Sequence, residues 1–293
     1  MAAAVGPLVR RAKWSRRDLE TAAVTALLVV TTLVFLLPIL LMIAVSFKTP
    51  VDVIAAPPRW LFRPTLDNYL ALIGARPSEF QINLLLHFRN SIAATGGATV
   101  LSLALAAPAA YAFGRLRFRG ARPVLFFLLA LRMLPPIATV IPLYLLMRGL
   151  HLLDTIAGLI IAYTTFNLPF IVWVLRSFFL DLPADLEEAA LIDGATRWQC
   201  LYKVILPLSA PGIVASGIFA LMLAWNDFLF AVILTSRQAP TLPVLTAGFI
   251  TEMGTSWGVA MAAGTVIVVP VLFFTLFVQR YMVVGLTSGA VKG

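Results

Sequence analysis

The chain reads as an all-α integral membrane protein with six transmembrane helices and a long cytoplasmic insert between the fourth and fifth. Three observations lead there. Of its 293 residues, 61% are hydrophobic and only 12% are charged, against roughly a quarter charged in an average soluble domain. A bilayer core about 30 Å thick needs about 20 apolar residues per helical span, because every backbone N–H and C=O within it must be satisfied inside the segment. Windows of that kind occur at residues 21–47, 91–114, 123–147, 155–175, 208–234 and 257–278, and nearly all the charge falls between them.

The first window is longer than the apolar core of a signal peptide and no small-residue cleavage site follows it, so a retained helix is expected. The second is uncharged from Ser91 to Gly114. Arg132 interrupts the third and Asp227 the fifth. A single membrane domain over residues 1–293 accounts for the whole sequence, with no tandem repeat and no low-complexity tract.

The formal charge of +9 is explained by orientation rather than by nucleic-acid binding, because the basic residues are scattered over short loops with no basic helix or RNA-binding motif. With both termini in the cytoplasm, the inside segments hold Arg10, Arg11, Lys13, Arg16, Arg17, Arg115, Arg117, Arg119, Arg122, Arg176, Arg197, Lys203, Arg280 and Lys292. The outside segments hold half as many: Lys48, Arg59, Arg63, Arg76, Arg89, Arg148 and Arg237. That excess follows the positive-inside rule. The single Cys200 has no internal disulfide partner and is expected as an inert thiol.

Prolines at 50, 57, 58, 64 and 77 forbid one continuous helix in the first outside loop. Residues 81–90 are expected as a short amphipathic helix lying on the outer surface before the second span. Pro135, Pro136 and Pro142 in the third span, and Asn167-Leu168-Pro169 in the fourth, should kink or unwind those helices. Broken helices occur at membrane depth where protein or a water-filled cavity receives the freed carbonyls. Both readings stay open: the two spans face the interior, or the prolines only shape packing.

The insert at residues 176–207 is the most informative stretch, since a hairpin needs only a few residues. Leu182-Pro183-Ala184-Asp185 stops one helix and starts another, with Asp185, Glu187 and Glu188 placed to favour the helix dipole. A helix over about 183–193 should end at Gly194, which suits a left-handed cap, and Ala195-Thr196 should open a second short helix ending before Pro207. Small Ala189, Ala190 and Ala195 near the elbow let a partner approach closely, so the insert has the form of a plug for a cytoplasmic groove.

Glu188-Ala189-Ala190, then Gly194, Val204 and Leu206-Pro207 at their spacings, resembles the signature loop of binding-protein-dependent ABC importer permeases, with Val204 where isoleucine is usual. The likeness runs further, toward the shorter subunit of maltose-type sugar permeases. It is carried by Phe88-Arg89-Asn90-Ser91, Ala110-Tyr111-Ala112-Phe113-Gly114-Arg115, Pro142-Leu143-Tyr144, Ala224-Trp225-Asn226-Asp227-Phe228 and the tail from Gln279-Arg280-Tyr281 to Gly293.

The resemblance implies a non-catalytic half of a translocation path for a sugar or related polyol in a bacterial or archaeal plasma membrane. It implies a coupling helix carrying Glu187, Glu188, Ala189, Ala190, Asp193, Gly194 and Ala195, closed by Pro207. The implied partners are a second homologous permease subunit, two ATPase subunits and an extracytoplasmic solute-binding protein, alongside membrane lipid and no nucleic acid. In that family the tail, here from Ser288, reaches the ATPase, and the outside loop at 235–256 reaches the solute-binding protein.

No lysine follows a glycine, so the chain has no Gly-Lys-Ser/Thr phosphate loop. No cofactor is therefore expected in this chain, and ATP and Mg belong to the partner ATPase.

Charges inside a membrane are costly and usually functional. Arg132 either braces the broken third span or contacts solute. Asp227, beside Trp225 and Asn226, is either a gate or a contact to the solute-binding protein, or else an interfacial anchor. Thr164 and Asn167 on the fourth span bond either a polyhydroxylated solute or a neighbouring helix. These six residues are the translocation-path candidates, and no metal site is expected.

A glycerol phosphate in place of a sugar remains compatible with the pattern. A secondary transporter would need carboxylates or histidines buried near mid-membrane, and only an off-centre Asp227 lies inside a span. A membrane enzyme would need a ligand or nucleophile set, and His87 and His151 are the only histidines.

Overall fold

The structure, a computed structural model, describes residues 16–75, 83–116, 118–251 and 254–290. Long apolar runs close their backbone bonds within themselves, so the chain is helical nearly throughout. Four helices are long and apolar enough to cross a membrane: α1 (Arg16–Ser46), α4 (Leu84–Arg115), α7 (Ile156–Asp181) and α14 (Trp257–Ala290). Between α1 and α4 lie the short helices α2 (Pro50–Val53) and α3 (Asp67–Leu72).

Two further crossings are bent. Helices α5 (Ala121–Leu131) and α6 (Pro136–Gly149) meet at 94°. The break follows from Pro135 and Pro136, which supply no backbone N–H, and Pro136 becomes the first residue of α6. The second bent crossing joins the helical run 197–208 to α11 (Ala210–Trp225) at 82°. Among the described residues the count is therefore four single-helix spans, or up to six if each bent pair is one span.

Past α7 the insert forms α8 (Ala184–Ile192), α9 (Arg197–Cys200), a π-helical turn over Leu201–Ile205 and α10 (Leu206–Leu208). The second helical run thus continues through Pro207 and bends at Ser209, one turn later than the sequence suggests. Beyond α11 come α12 (Leu229–Leu234), α13 (Leu242–Ala247) and an antiparallel two-residue hairpin, β1 (Ile250–Thr251) with β2 (Gly254–Thr255).

Two expectations change. Among the described residues of 81–90 no separate surface helix forms: from Leu84 the chain belongs to the 32-residue α4, and residues 81 and 82 lie outside the described residues. Asn83 caps that helix by accepting from the Leu86 N–H at 3.0 Å, which starts it about two turns before the apolar window. The fourth span does not unwind, since α7 carries Pro169 within one helix of 26 residues.

Helices α4 and α7 form the spine. Lipid gives no hydrophobic drive for helices to associate, so close backbone approach through small residues does that work. Ala94, Ala98, Ala106 and Ala110, at helical spacing on α4, are all fully buried. A Cβ at Gly97 would meet the Ile160 side chain, so its absence brings α7 nearer.

One apolar cluster gathers Ala98, Tyr163, Ala224 and Phe230; another, nearer the insert, gathers Tyr111, Leu175, Phe179, Leu201 and Ile205. Helix α1 packs on α14 and otherwise shows apolar side chains such as Phe35, as a span hydrophobic all round does.

Candidate functional site

The insert is an elbow with a built joint. Gly194 stands at φ +85°, in the left-handed region that favours glycine. The Gly194 N–H donates to Leu191 O and the Ala195 N–H to Ala190 O, at 3.1 and 3.0 Å, a Schellman closure of α8. Thr196 then caps α9: its hydroxyl accepts from the Gln199 N–H while the Gln199 side chain accepts from the Thr196 N–H, a capping box.

The two adjacent glutamates of α8 divide their roles. Glu187 is 5% exposed and turned inward. Its Oε1 accepts from the Tyr111 hydroxyl at 2.6 Å and from Arg197 at 2.7 Å, and its Oε2 lies 3.9 Å from Arg115 Nε. Arg115 also donates to Phe179 O and Leu182 O at 2.5 and 2.6 Å. One carboxylate therefore joins α4, the end of α7, and both arms of the elbow. Arg197 remains half exposed and is screened by water, whereas Tyr111 and Arg115 are not.

Glu188, Ala189, Asp193, Gly194 and Pro207 are exposed, and Ala190 and Ala195 are half-buried. Around them the elbow exposes Leu186, Ile192 at 85%, and Trp198 stacked on Tyr202 at 5.9 Å. These apolar side chains are thus exposed on a polar-flanked projection. The sequence singled out Glu187 as part of that surface, but the structure places it on the opposite side, as the fastener.

The other polar candidates lie along the spans. Thr164 is buried with its hydroxyl 3.4 Å from Ala98 O, and the Asn167 amide donates to Ala220 O at 3.2 Å. The Trp225 indole donates to Ile267 O at 3.2 Å, linking α11 to α14. Asp227 caps α12 by accepting from the Phe230 and Ala231 N–H groups at 3.0 and 3.3 Å. The polar groups of Thr164, Asn167 and Trp225 thus bond across helices, while Asp227 bonds only within the start of its own helix. Asn226 is exposed, with its amide on Met222 O at 2.8 Å.

Arg132 terminates α5 at the 94° break. It donates to Phe166 O at 2.9 Å, and its guanidinium carbon stands 5.0 Å from the centre of the Phe170 ring. It pairs with no carboxylate among the described residues.

The end of the bundle opposite the elbow carries a clasp that sequence reasoning missed. Asp154, at φ +55°, accepts from the backbone N–H groups of Ser236, Arg237, Gln238 and Ala239 and from the Ser236 hydroxyl, at 2.9–3.1 Å. Partial burial pulls the Asp154 carboxyl upward, but those backbone bonds outweigh it and hold it at about 2. From the other side, Asn90 donates to Gln238 O and Pro240 O, and the Ser91 hydroxyl accepts from the Leu242 N–H. Asn90 and Ser91 stood in a family-like fragment, but no local signal pointed to Asp154, whose partners lie more than eighty residues away.

The comparisons with known proteins match this architecture. A family model described as binding-protein-dependent transport system inner membrane component matches residues 102–287. The chain belongs to that family of non-catalytic ABC importer permeases, in which ATP is hydrolysed on a separate subunit.

The chain is 40% identical to the probable ABC transporter permease protein y4oR of Sinorhizobium fredii, covering 90% of this chain and 92% of that one. It is 41% identical to the trehalose transport system permease protein SugB of Mycobacterium tuberculosis, covering 88% and 93%. It is 35% identical to the diacetylchitobiose uptake system permease protein DasC of Streptomyces coelicolor, covering 92% and 96%. Among solved structures, a bacterial ABC transporter involved in the import of the acidic polysaccharide alginate superposes with a TM-score of 0.72 at 26% identity, covering 92% of this chain and 99% of that one.

Proposed function

We propose that this chain forms half of the translocation path of an ATP-driven importer for a sugar or related polyol. The observation that carries it is the braced elbow: a Schellman joint at Gly194, an inward Glu187 bonded to α4, and an outward apolar face of Leu186, Ala189, Ile192 and Trp198. A rigid projection with an exposed apolar face suits docking into a cleft of an ATPase subunit. Movement of that subunit is then passed to α4 and α7 through Tyr111 and Arg115. Glu188 and Asp193 present charge to the ATPase, and Gly194 and Pro207 set the angles.

The sugar assignment rests on the relatives, several of which are named for disaccharide uptake. A second permease subunit and two ATPase subunits complete the transporter on this reading. A solute-binding protein meets the end that carries the Asp154 clasp. Both termini are cytoplasmic, following the basic-residue excess. The last three residues of the tail lie outside the described residues. Arg132 and Asn226 border the path, while Thr164, Asn167, Trp225 and Asp227 fix its walls.

Site-directed cross-linking tests this. The chain has one native cysteine, the buried Cys200, so Ala189→Cys introduces a single accessible thiol. Cross-linking of that thiol to the ATPase subunit in the assembled complex, changing with ATP, is the expected result. A thiol that reaches no ATPase subunit in an active complex rejects the docking reading.

A further inference from the structure

We propose that the cavity at the break between α5 and α6 is a subsite of this subunit for one ring of a hydroxylated solute, with Arg132 as its donor. The proposal deepens the transport reading and rests on it. The cavity measures about 320 Å³ and is lined by Arg132, Thr139, Pro142, Thr165, Phe166 and Pro169 together with leucines. That volume lies within the roughly 300–1,000 Å³ range of small-molecule sites.

The polar groups define the ligand chemistry. A guanidinium carries five N–H donors, of which Arg132 gives one to Phe166 O. With no carboxylate neighbour among the described residues, donors remain for a ligand. The two threonines supply the opposite function. The Thr139 hydroxyl donates to Pro136 O and the Thr165 hydroxyl to Ile161 O, at 2.7 and 2.8 Å, so their hydrogens are engaged and their lone pairs stay open. Pro169 has no N–H for Thr165 O, which adds a backbone acceptor at the same wall.

A site that offers both donors and acceptors fits a group that both accepts and donates. A sugar hydroxyl does so, and a carboxylate or sulfonate only accepts. The leucines and Phe166 suit the C–H faces of a ring. A charged side chain at this depth is costly unless it serves a path or a partner, and a subsite facing the translocation path meets that condition.

The test uses the complete transporter, this chain with its partner permease, ATPase and solute-binding protein, in vesicles supplied with labelled glucose, trehalose, maltose or glucuronate. Arg132→Gln should raise KM for the carried neutral sugar about ten-fold, the scale of one lost hydrogen bond to a charged group. Arg132→Lys should restore only part of it, because an ammonium lacks the planar fork. Thr165→Cys should react with a membrane-impermeant thiosulfonate, and the carried sugar should slow that reaction several-fold.

A Thr165→Cys thiol that never reacts, or reacts equally with and without the carried sugar, places the cavity against lipid or the partner permease and overturns the subsite while leaving transport intact. Preference of the wild-type complex for glucuronate over the neutral sugars overturns the hydroxyl assignment. A wild-type complex that shows no ATP-dependent uptake of any sugar or polyol bound by its solute-binding protein overturns the transport reading, and this proposal with it.

Discussion

Replacing Glu187 by Gln should loosen the elbow from the bundle without unfolding either. The amide keeps one acceptor but loses the charge that strengthens two bonds, from the Tyr111 hydroxyl at 2.6 Å and Arg197 at 2.7 Å. Hydrogen bonds to a charged group contribute roughly 1.5–3 kcal/mol and neutral ones roughly 0.5–1.5 kcal/mol, so the buried Tyr111 bond weakens by about 1 kcal/mol. Arg197 is 54% exposed at its side chain, and water replaces most of what it loses, which leaves well under 1 kcal/mol there. Arg115 keeps its two carbonyl partners, Phe179 O and Leu182 O, and loses a 3.9 Å ion pair.

The sum is about 2 kcal/mol off the free energy that holds α8 closed, or roughly a 30-fold faster exchange of its amide hydrogens. Hydrogen exchange on the detergent-solubilised complex reads this directly. Tyr111→Phe alone should give about half the effect in free energy, and the double variant should be little worse than Glu187→Gln, since both remove one shared bond. Wild-type exchange rates in α8 of the Glu187→Gln protein would refute the fastener role. Additive effects of the two changes would refute the shared bond.

Gly194→Val places a β-branched residue at φ +85° and should cost about 1–3 kcal/mol, with Gly194→Asn milder; uptake and co-purification of the ATPase measure both. The Asp154 carboxyl is held at about 2, below its ordinary 3.8, so its contribution is complete above about pH 4 and is lost only as pH falls through about 2. Protection of the Ser236 to Ala239 amides, corrected for intrinsic exchange, should therefore stay constant between about pH 5 and 8 and fall in Asp154→Ala; after solvent screening the loss is about 1 kcal/mol. A Cβ at Gly158 would run into the backbone carbonyl of Leu152, so Gly158→Ala should destabilise the start of α7 by about 1–3 kcal/mol, seen as a lower melting temperature in detergent.

Much of this protein is written in one dimension. Hydrophobic length decides which segments enter a bilayer, because the backbone requirement there is local: each span satisfies its own N–H and C=O groups. The same locality made the elbow readable, since an acidic first turn, Gly194 and the Thr196 cap act within a few residues of themselves. Proline likewise announced the break at Pro135-Pro136, where two successive residues lack an N–H.

What the sequence left undecided depends on residues brought together from far along the chain. Only the tertiary structure separates Glu187 from Glu188, because one α8 position faces Tyr111 and the next faces outward, a difference of 100° around a helix whose docking angle no local pattern specifies. Only the fold engages Thr164 and Asn167 with the carbonyls of Ala98 and Ala220, and only the fold surrounds Asp154 with the N–H groups of residues 236–239. Periodicity and capping act over one or two turns; hydrogen bonds across the bundle depend on where whole helices cross, and packing sets that.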